Sequence, residues 1–165
     1  MEKGFSGGQP QLHQGATNVW LTPRGIIEQL GPFDLDPCAA PEPRPWDTAK
    51  VHIVEAEDGL SRPWEGFVWC NPPYGKQTGI WLERLAQHGN GIALVFARTE
   101  TNWFQAVAKK TSGIFFYKGR ITFHRPDGSS DTNGGAPSCF LLFGETALER
   151  MRRAQFKGIL STIQK

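Results

Sequence analysis

Asn71, Pro72, Pro73 and Tyr74 close a short apolar run, Phe67-Val68-Trp69-Cys70, and carry the most specific chemistry in the chain. A buried strand that stops at Asn-Pro-Pro-aromatic sets a side-chain amide, stiff carbonyls and a ring around one point at the carboxyl edge of a sheet. The amide oxygen of Asn71 and the carbonyl of Pro72 can each accept a hydrogen bond from a planar amine. That draws the nitrogen toward tetrahedral geometry and frees a lone pair otherwise delocalised into the ring. Two successive prolines fix two φ angles and remove two donors, so the carbonyls meet the amine without competing N–H groups. Tyr74 offers a face on which a base can stack, a contact worth about 1–3 kcal/mol. The set suits methyl transfer to an exocyclic amino group. An ordinary proline turn after a strand would carry the same residue types.

Three upstream segments must position that corner. Thr22-Pro23 precedes Ile26, Ile27 and Leu30 on one helical face with Gly31 after them, which predicts a short helix capped by Thr22 with Pro23 at its first position. Phe33 to Ala39 reads as a brief strand ending in an acid and a proline, Asp36 and Pro37, so that Asp36, like Asn71 and Arg98, is expected to follow its strand. Glu57-Asp58-Gly59-Leu60 then leads through Trp64 into the apolar run before Asn71.

In this order, and with the later segments Ala97 to Phe104 and Gly119 to Phe123, the chain resembles the S-adenosylmethionine-dependent adenine-N6 DNA methyltransferases. The closest likeness is to the small phage and prophage Dam-type family, over about Trp20 to Phe143. Asn-Pro-Pro-Tyr alone is shared with methyltransferases acting on guanine in ribosomal RNA and on glutamine in release factors. The resemblance implies an open Rossmann-like α/β sheet, S-adenosylmethionine as cofactor, DNA as partner, and an adenine flipped into the pocket of Asn71, Pro72, Pro73 and Tyr74. It assigns the cofactor to Thr22, Pro23, Asp36, Pro37, Cys38, Ala39, Asp58 and Leu60, with Asp36 near its methionine part and Asp58 at its adenine amino group. Two departures stand out. Cys38-Ala39-Ala40-Pro41 replaces the family's glycine-rich turn, and no acid is evident for the cofactor ribose, Asp47 and Glu55 being the candidates. Only twenty-one residues separate Asp36 from Asp58, too few for a strand-helix-strand unit whose crossover alone needs about 10–12. The sheet is therefore expected to be trimmed between its first strand and the Asn71 strand. The rival readings are an RNA or protein amino-methyltransferase using the same corner, and a non-catalytic remnant that binds nucleic acid.

At 165 residues the length fits one catalytic domain, residues 18–165, behind a flexible Gly- and Gln-rich arm, residues 1–17. Substrate contacts are then expected from loops of that domain. A net charge of +2 and a pI near 8.5 permit nucleic acid without requiring it. Most of the six tryptophans and eleven phenylalanines belong to the core. Three cysteines, no secretory signal and no long apolar span point to a reducing cytoplasm, that of a bacterial host if the phage likeness holds, and to no membrane. The spacing of Cys38, Cys70 and His52 fits no common zinc pattern, so no metal is expected.

Further along, Ile80 to Ala86 predicts a helix ended by Gly89. Ile92 to Phe96 reads as a buried parallel strand, and Thr101 or Asn102 caps a helix to about Lys110. Gly113 to Tyr117, Arg120 to Phe123 and Ser138 to Phe143 read as strands, the last of them closing the sheet, with a long polar loop from His124 to Pro137. The architecture expected is an open, mostly parallel α/β sheet with ligands outside the carboxyl ends of its strands. Asp36, Asn71 and Arg98 are expected at that crevice, and Arg98, Arg120 and Arg125 are the candidate DNA contacts. The tail from Glu145 has helical spacing, its Arg150, Arg152, Arg153 and Lys157 read as a solvated face.

Overall fold

The computed structural model of the chain describes residues 19–130 and 135–164; the N-terminal arm expected over residues 1–17 lies outside them. The elements run α1 (Arg24–Leu30), β1 (Leu35–Ala39), β2 (Val51–Val54), a 3-10 turn (Glu55–Glu57), β3 (Val68–Cys70), α2 (Thr78–His88), β4 (Gly91–Phe96), α3 (Asn102–Ala108), β5 (Gly113–Tyr117), β6 (Ser138–Phe143), α4 (Glu145–Arg153) and β7 (Gly158–Thr162). The sheet has the order β2-β1-β3-β4-β6-β5-β7. Strands β2, β1, β3 and β4 are mutually parallel, β6 runs against both β4 and β5, and β7 runs against β5. Five of the seven strands therefore share one direction. From β1 the chain steps outward to β2 and then returns to the opposite flank of β1 as β3, so the strand order reverses at β1. In open α/β sheets such a reversal is where ligands bind.

The central strands are apolar throughout because both faces are covered. Ile92 and Leu94 of β4 and Trp69 of β3 pack toward α1 and α4 with Ile26, Leu30, Leu148 and Met151. The alternate residues Val68, Cys70, Ala93 and Val95 pack toward α2 and α3 with Trp81, Leu82, Leu85 and Phe104. Helix α2 ends at Gly89, whose left-handed φ of 75° lets its N–H reach the Leu85 carbonyl. Helix α3 begins at Thr101, whose hydroxyl oxygen accepts from Phe104 N.

Four expectations change. Thr22 does not cap α1: the helix starts at Arg24, with Pro23 at the cap position and no side-chain cap, while the Thr22 hydroxyl lies beside Asn71, 3.4 Å from its Nδ2. A second strand, β2, follows β1 with residues 40–50 as a loop where a crossover helix would stand, so the trimming removes the helix and keeps the strand. Arg120 to Phe123 forms no ladder. Ile121 and Phe123 are buried, which satisfies the alternation, but among the described residues the backbone bridges lie beyond them, between His124 and Leu21 and between His124 and Ser130. The tail is helical only to Arg153 and then returns as β7 along β5, so β6 is not the last strand.

The tail is also structural. Ala147, Leu148 and Met151 are buried, and Arg150 turns inward. Its Nη1 donates to the carbonyls of Leu30 at 3.0 Å and Pro32 at 2.7 Å, and its guanidinium lies 4.4 Å from the centre of the Phe67 ring. It thus satisfies a carbonyl left open at the end of α1. Arg150→Ala is expected to cost about 1.5–3 kcal/mol in urea unfolding, whereas Arg153→Ala, exposed on the same helix, should stay within about 0.5 kcal/mol.

Candidate active site

Asn71 is the first residue past β3, and its contacts gather three separate segments. Its Nδ2 lies 3.4 Å from the Thr22 hydroxyl and 3.5 Å from the Trp20 carbonyl. Its Oδ1 faces the Tyr74 hydroxyl at 3.4 Å, and its backbone carbonyl accepts from the Cys38 thiol at 3.3 Å. The segment around Thr22 is fixed from two further sides. Leu21 exchanges backbone hydrogen bonds with His124, at 2.7 and 3.0 Å, and the Trp46 indole donates to the Thr22 carbonyl at 3.0 Å. Pro72 is buried, and no described residue donates to its carbonyl. The Pro73 carbonyl, by contrast, accepts from the Thr78 hydroxyl at 2.8 Å, which ties the corner to the first turn of α2.

Tyr74 is 39% exposed and stacks on Phe96, the last residue of β4, with ring centres 4.3 Å apart and planes within 10°. Phe96 meets Phe123 edge-on at 6.5 Å. Desolvation pushes the Tyr74 phenol up from its ordinary value, so at neutral pH it remains a hydroxyl donor toward Asn71. Phe96 was not anticipated as part of the corner; its signal was its place as the aromatic end of a buried strand beside β3.

Asp36 lies inside β1 and is only 4% exposed. One carboxylate oxygen accepts from Cys38 N at 3.1 Å and the other from the Thr48 hydroxyl at 2.5 Å. Both oxygens therefore engage the chain itself, which differs from a carboxylate standing open at a strand end. Burial raises Asp36 to about 6, against the opposing pull of Thr48, the Cys38 N–H and Arg44. Thr48 belongs to the helix-free loop, which Arg44 also holds through the Ala40 carbonyl at 2.8 Å and through ion pairs with Glu42 and Asp47. His52 accepts from Thr48 N and Ala49 N through Nε2; burial, and then the charge of Arg44, hold it below its usual range, as a neutral ring. Neither Arg44 nor Thr48 was singled out from sequence, since a lone Arg or Thr in a proline-rich loop carries no spacing signal.

The Glu57-Asp58-Gly59-Leu60 segment is seated directly on β1. A Cβ on Gly59 would fall 1.9 Å from the Pro37 carbonyl oxygen, so only glycine permits this approach. Asp58 adopts a left-handed φ of 53°, is exposed, and its carboxylate bonds to no described residue. Leu60 packs on the core beneath. Of the two ribose candidates, Asp47 is paired with Arg44 and lies 3.8 Å from His52. Glu55 follows β2 directly, and its carboxylate bonds to no described residue.

Arg98 leaves the carboxyl end of β4, exposed and 3.9 Å from Glu100. Arg120 and Arg125, both exposed, lie on the segment that His124 bridges to Leu21. Part of the long polar loop beyond them, residues 131–134, is outside the described residues. The Cys38 and Cys70 sulfurs are 3.7 Å apart, the Cys38 thiol being pushed up first by its neighbour Cys70 and then by burial. Among the described residues no group of three or more His, Cys, Asp or Glu side chains is placed to hold a metal, and no helix is long and apolar enough to cross a membrane.

A model of the DNA N-6-adenine-methyltransferase (Dam) family matches residues 9–164, nearly the whole chain. No curated protein and no solved structure gives a match.

The state of Asp36 makes a measurable difference to the fold. Its ordinary value is 3.8 and its folded value about 6, so between the two the native state keeps a proton that the unfolded chain has released. The stability it contributes is complete below the lower value and is lost as pH rises through the upper one. Asp36→Asn should therefore be more stable than the parent at neutral pH, by on the order of 2–3 kcal/mol, with the advantage shrinking as pH falls toward about 4. Urea unfolding of both proteins across that range checks it; a constant difference would mean that Asp36 does not titrate as burial requires.

Proposed function

Because the chain belongs to the DNA N-6-adenine-methyltransferase (Dam) family, we propose that it moves a methyl group from S-adenosylmethionine to the amino nitrogen of an adenine flipped out of duplex DNA. The observation that carries this reading is the arrangement of Asn71: its amide nitrogen is turned to Thr22 and Trp20, leaving its oxygen toward Tyr74. That oxygen and the Pro72 carbonyl are two acceptors for the two hydrogens of one amino group. By holding both hydrogens the corner localises the nitrogen lone pair, an electrostatic contribution that appears as the new bond forms. The Tyr74 ring, backed by Phe96, supplies the stacking face that replaces neighbouring bases once the adenine has left the duplex.

The residues around the crevice suit the cofactor. The small side chains of Cys38, Ala39 and Ala40 leave room beside β1, and Gly59 brings Asp58 against that strand. Asp58 is a free acceptor for an adenine amino group and Glu55 for ribose hydroxyls. Thr22, Pro23, Asp36 and Pro37 shape the methionine side, with Leu60 beneath. When bound, S-adenosylmethionine supplies an electrophilic methyl on a sulfonium. Asp36, with both oxygens engaged by its own chain, supports the backbone of β1 rather than offering an open carboxylate. Arg98, Arg120 and Arg125 are proposed to meet DNA beside the crevice.

The direct test is plasmid DNA incubated with the protein and methyl-labelled S-adenosylmethionine, digested and analysed by nucleoside mass spectrometry. N6-methyladenine is the expected product; label in RNA or protein only would point to the other acceptors of this corner, and none at all to a binding remnant. Asn71→Ala should lose about 10²–10³ in turnover while keeping cofactor affinity by calorimetry. Near-parental turnover would remove the amide from the chemistry.

Tyr74 separates stacking from hydrogen bonding. Tyr74→Phe should keep most activity, because the ring and its contact with Phe96 remain. Tyr74→Ala should forfeit about 1–3 kcal/mol of base stacking. A 2-aminopurine at the target should brighten on binding as it leaves its neighbours. Equal activity of the two variants would exclude stacking on this ring.

A further inference from the structure

A second groove opens on the same edge of the sheet, on the face covered by α1 and α4. It encloses about 560 Å³ and begins at Pro23, next to the Thr22 that faces Asn71. One wall is α1 with Gln29; the other is the end of β5 with Lys118 and Arg120, and the strap of Gln155, Phe156 and Lys157 that leads into β7. Among the described residues no Asp or Glu lines it.

The groove is built rather than incidental. Gln155 N donates to the Gln29 side-chain oxygen at 2.8 Å, which pins the strap to α1. Lys118 N donates to the Lys157 carbonyl at 2.8 Å, which sets the two lysines side by side. Phe156 is stacked on Phe140, with ring centres 5.7 Å apart, and closes the floor. Lys118 and Lys157 are exposed and form no ion pair with a described residue. Two basic residues of α4 behave differently: Arg150 reaches the end of α1, and Arg152 lies 3.4 Å from Glu145.

A channel with lysines and an arginine on one wall, the Gln29 amide on the other and no carboxylate of a described residue between them matches a sugar-phosphate backbone, which asks for positive charge and hydrogen-bond donors along a line. We propose that this groove is the track for the DNA strand flanking the adenine presented to Asn71, with Lys118 and Lys157 as phosphate contacts. The proposal rests on the methyltransferase reading for the identity of its nucleic acid. It gives the tail a role that a solvated helix would not have: β7 and its strap bring Lys157 to the site edge from the far end of the sheet.

The test is anisotropy of a fluorescein-labelled mixed-sequence DNA duplex titrated over a range of salt. It compares Lys118→Gln/Lys157→Gln with a control of equal charge loss just past the end of α3, Lys109→Gln/Lys110→Gln, on the opposite face. Loss of two phosphate contacts should shallow the slope of log affinity against log salt by about 1.8 units in the groove variant and leave the control parallel to the parent. Equal changes in the two variants, or none in the groove variant, would overturn the proposal. Thermal midpoints matching the parent in both keep folding out of the comparison. The methyltransferase reading is judged separately by N6-methyladenine in parental plasmid digests: methylation with an unaltered groove variant would sink the track alone, and a groove-dependent slope without methylated adenine would sink the enzymatic reading alone.

Discussion

The seam between β1 and β3 is the constraint on which everything else in this protein depends. Ladder pairing there amounts to the single register pair Leu35 with Val68, against the longer ladder that joins β4 to β6. Side chains hold what the ladder does not. Asp34 accepts from Phe67 N at 2.8 Å while its own N–H bonds the Phe67 carbonyl; Phe33 stacks on Phe67 with centres 5.1 Å apart; and the Cys38 thiol reaches the Asn71 carbonyl. The two strands are thus held by side chains at both ends, through Asp34 and Phe33 at the amino end and through Cys38 at the carboxyl end, and Gly59 packs on Pro37 beside them. Mutations at Asp34 or Phe67 would act on the site through this clamp without touching a ligand.

What the sequence disclosed follows from how strongly each residue's environment is expressed locally. The apolar runs Val68 to Cys70, Ile92 to Phe96 and Ser138 to Phe143 are buried on both faces, and their strands were legible because short unbroken apolar runs bounded by Gly, Pro or Asn suit central strands. The caps at Thr101 and Gly89 are local chemistry and were legible for that reason. The edge strands were not. Gly158 to Thr162 is largely exposed and Val51 to Val54 buries only Ile53, so burial writes little pattern on them, and their pairing is decided by neighbours far away in sequence. Arg120 to Phe123 failed in the opposite sense: alternation reports which side chains are buried and says nothing about whether a neighbouring backbone is available to pair.

The site divides along the same line. The motif residues could be read from the chain because their types are unusual for their positions, and the resemblance they carry agrees with the family match over residues 9–164. Their supporting shell could not. Thr48, Arg44 and Phe96 are ordinary residues that matter through three-dimensional proximity to Asp36, Ala40 and Tyr74. Thr22 does not cap the helix because α1 starts one residue later, with Pro23 at the cap position, while its hydroxyl lies beside Asn71.

The Asn71 amide has a sense of direction that its own sequence neighbourhood does not determine. Rotated by half a turn, it would set its oxygen against the Trp20 carbonyl and withdraw from Tyr74 the acceptor that its hydroxyl faces. The contacts at Trp20 and Thr22 therefore act as a polarity key, choosing which end of the amide points outward. That key is cut some fifty positions earlier in the chain and is held in place by His124 and Trp46. The direction of this amide is thus a long-range property: the four-residue motif brings the amide, and the segment laid across it takes its nitrogen and leaves its oxygen toward Tyr74.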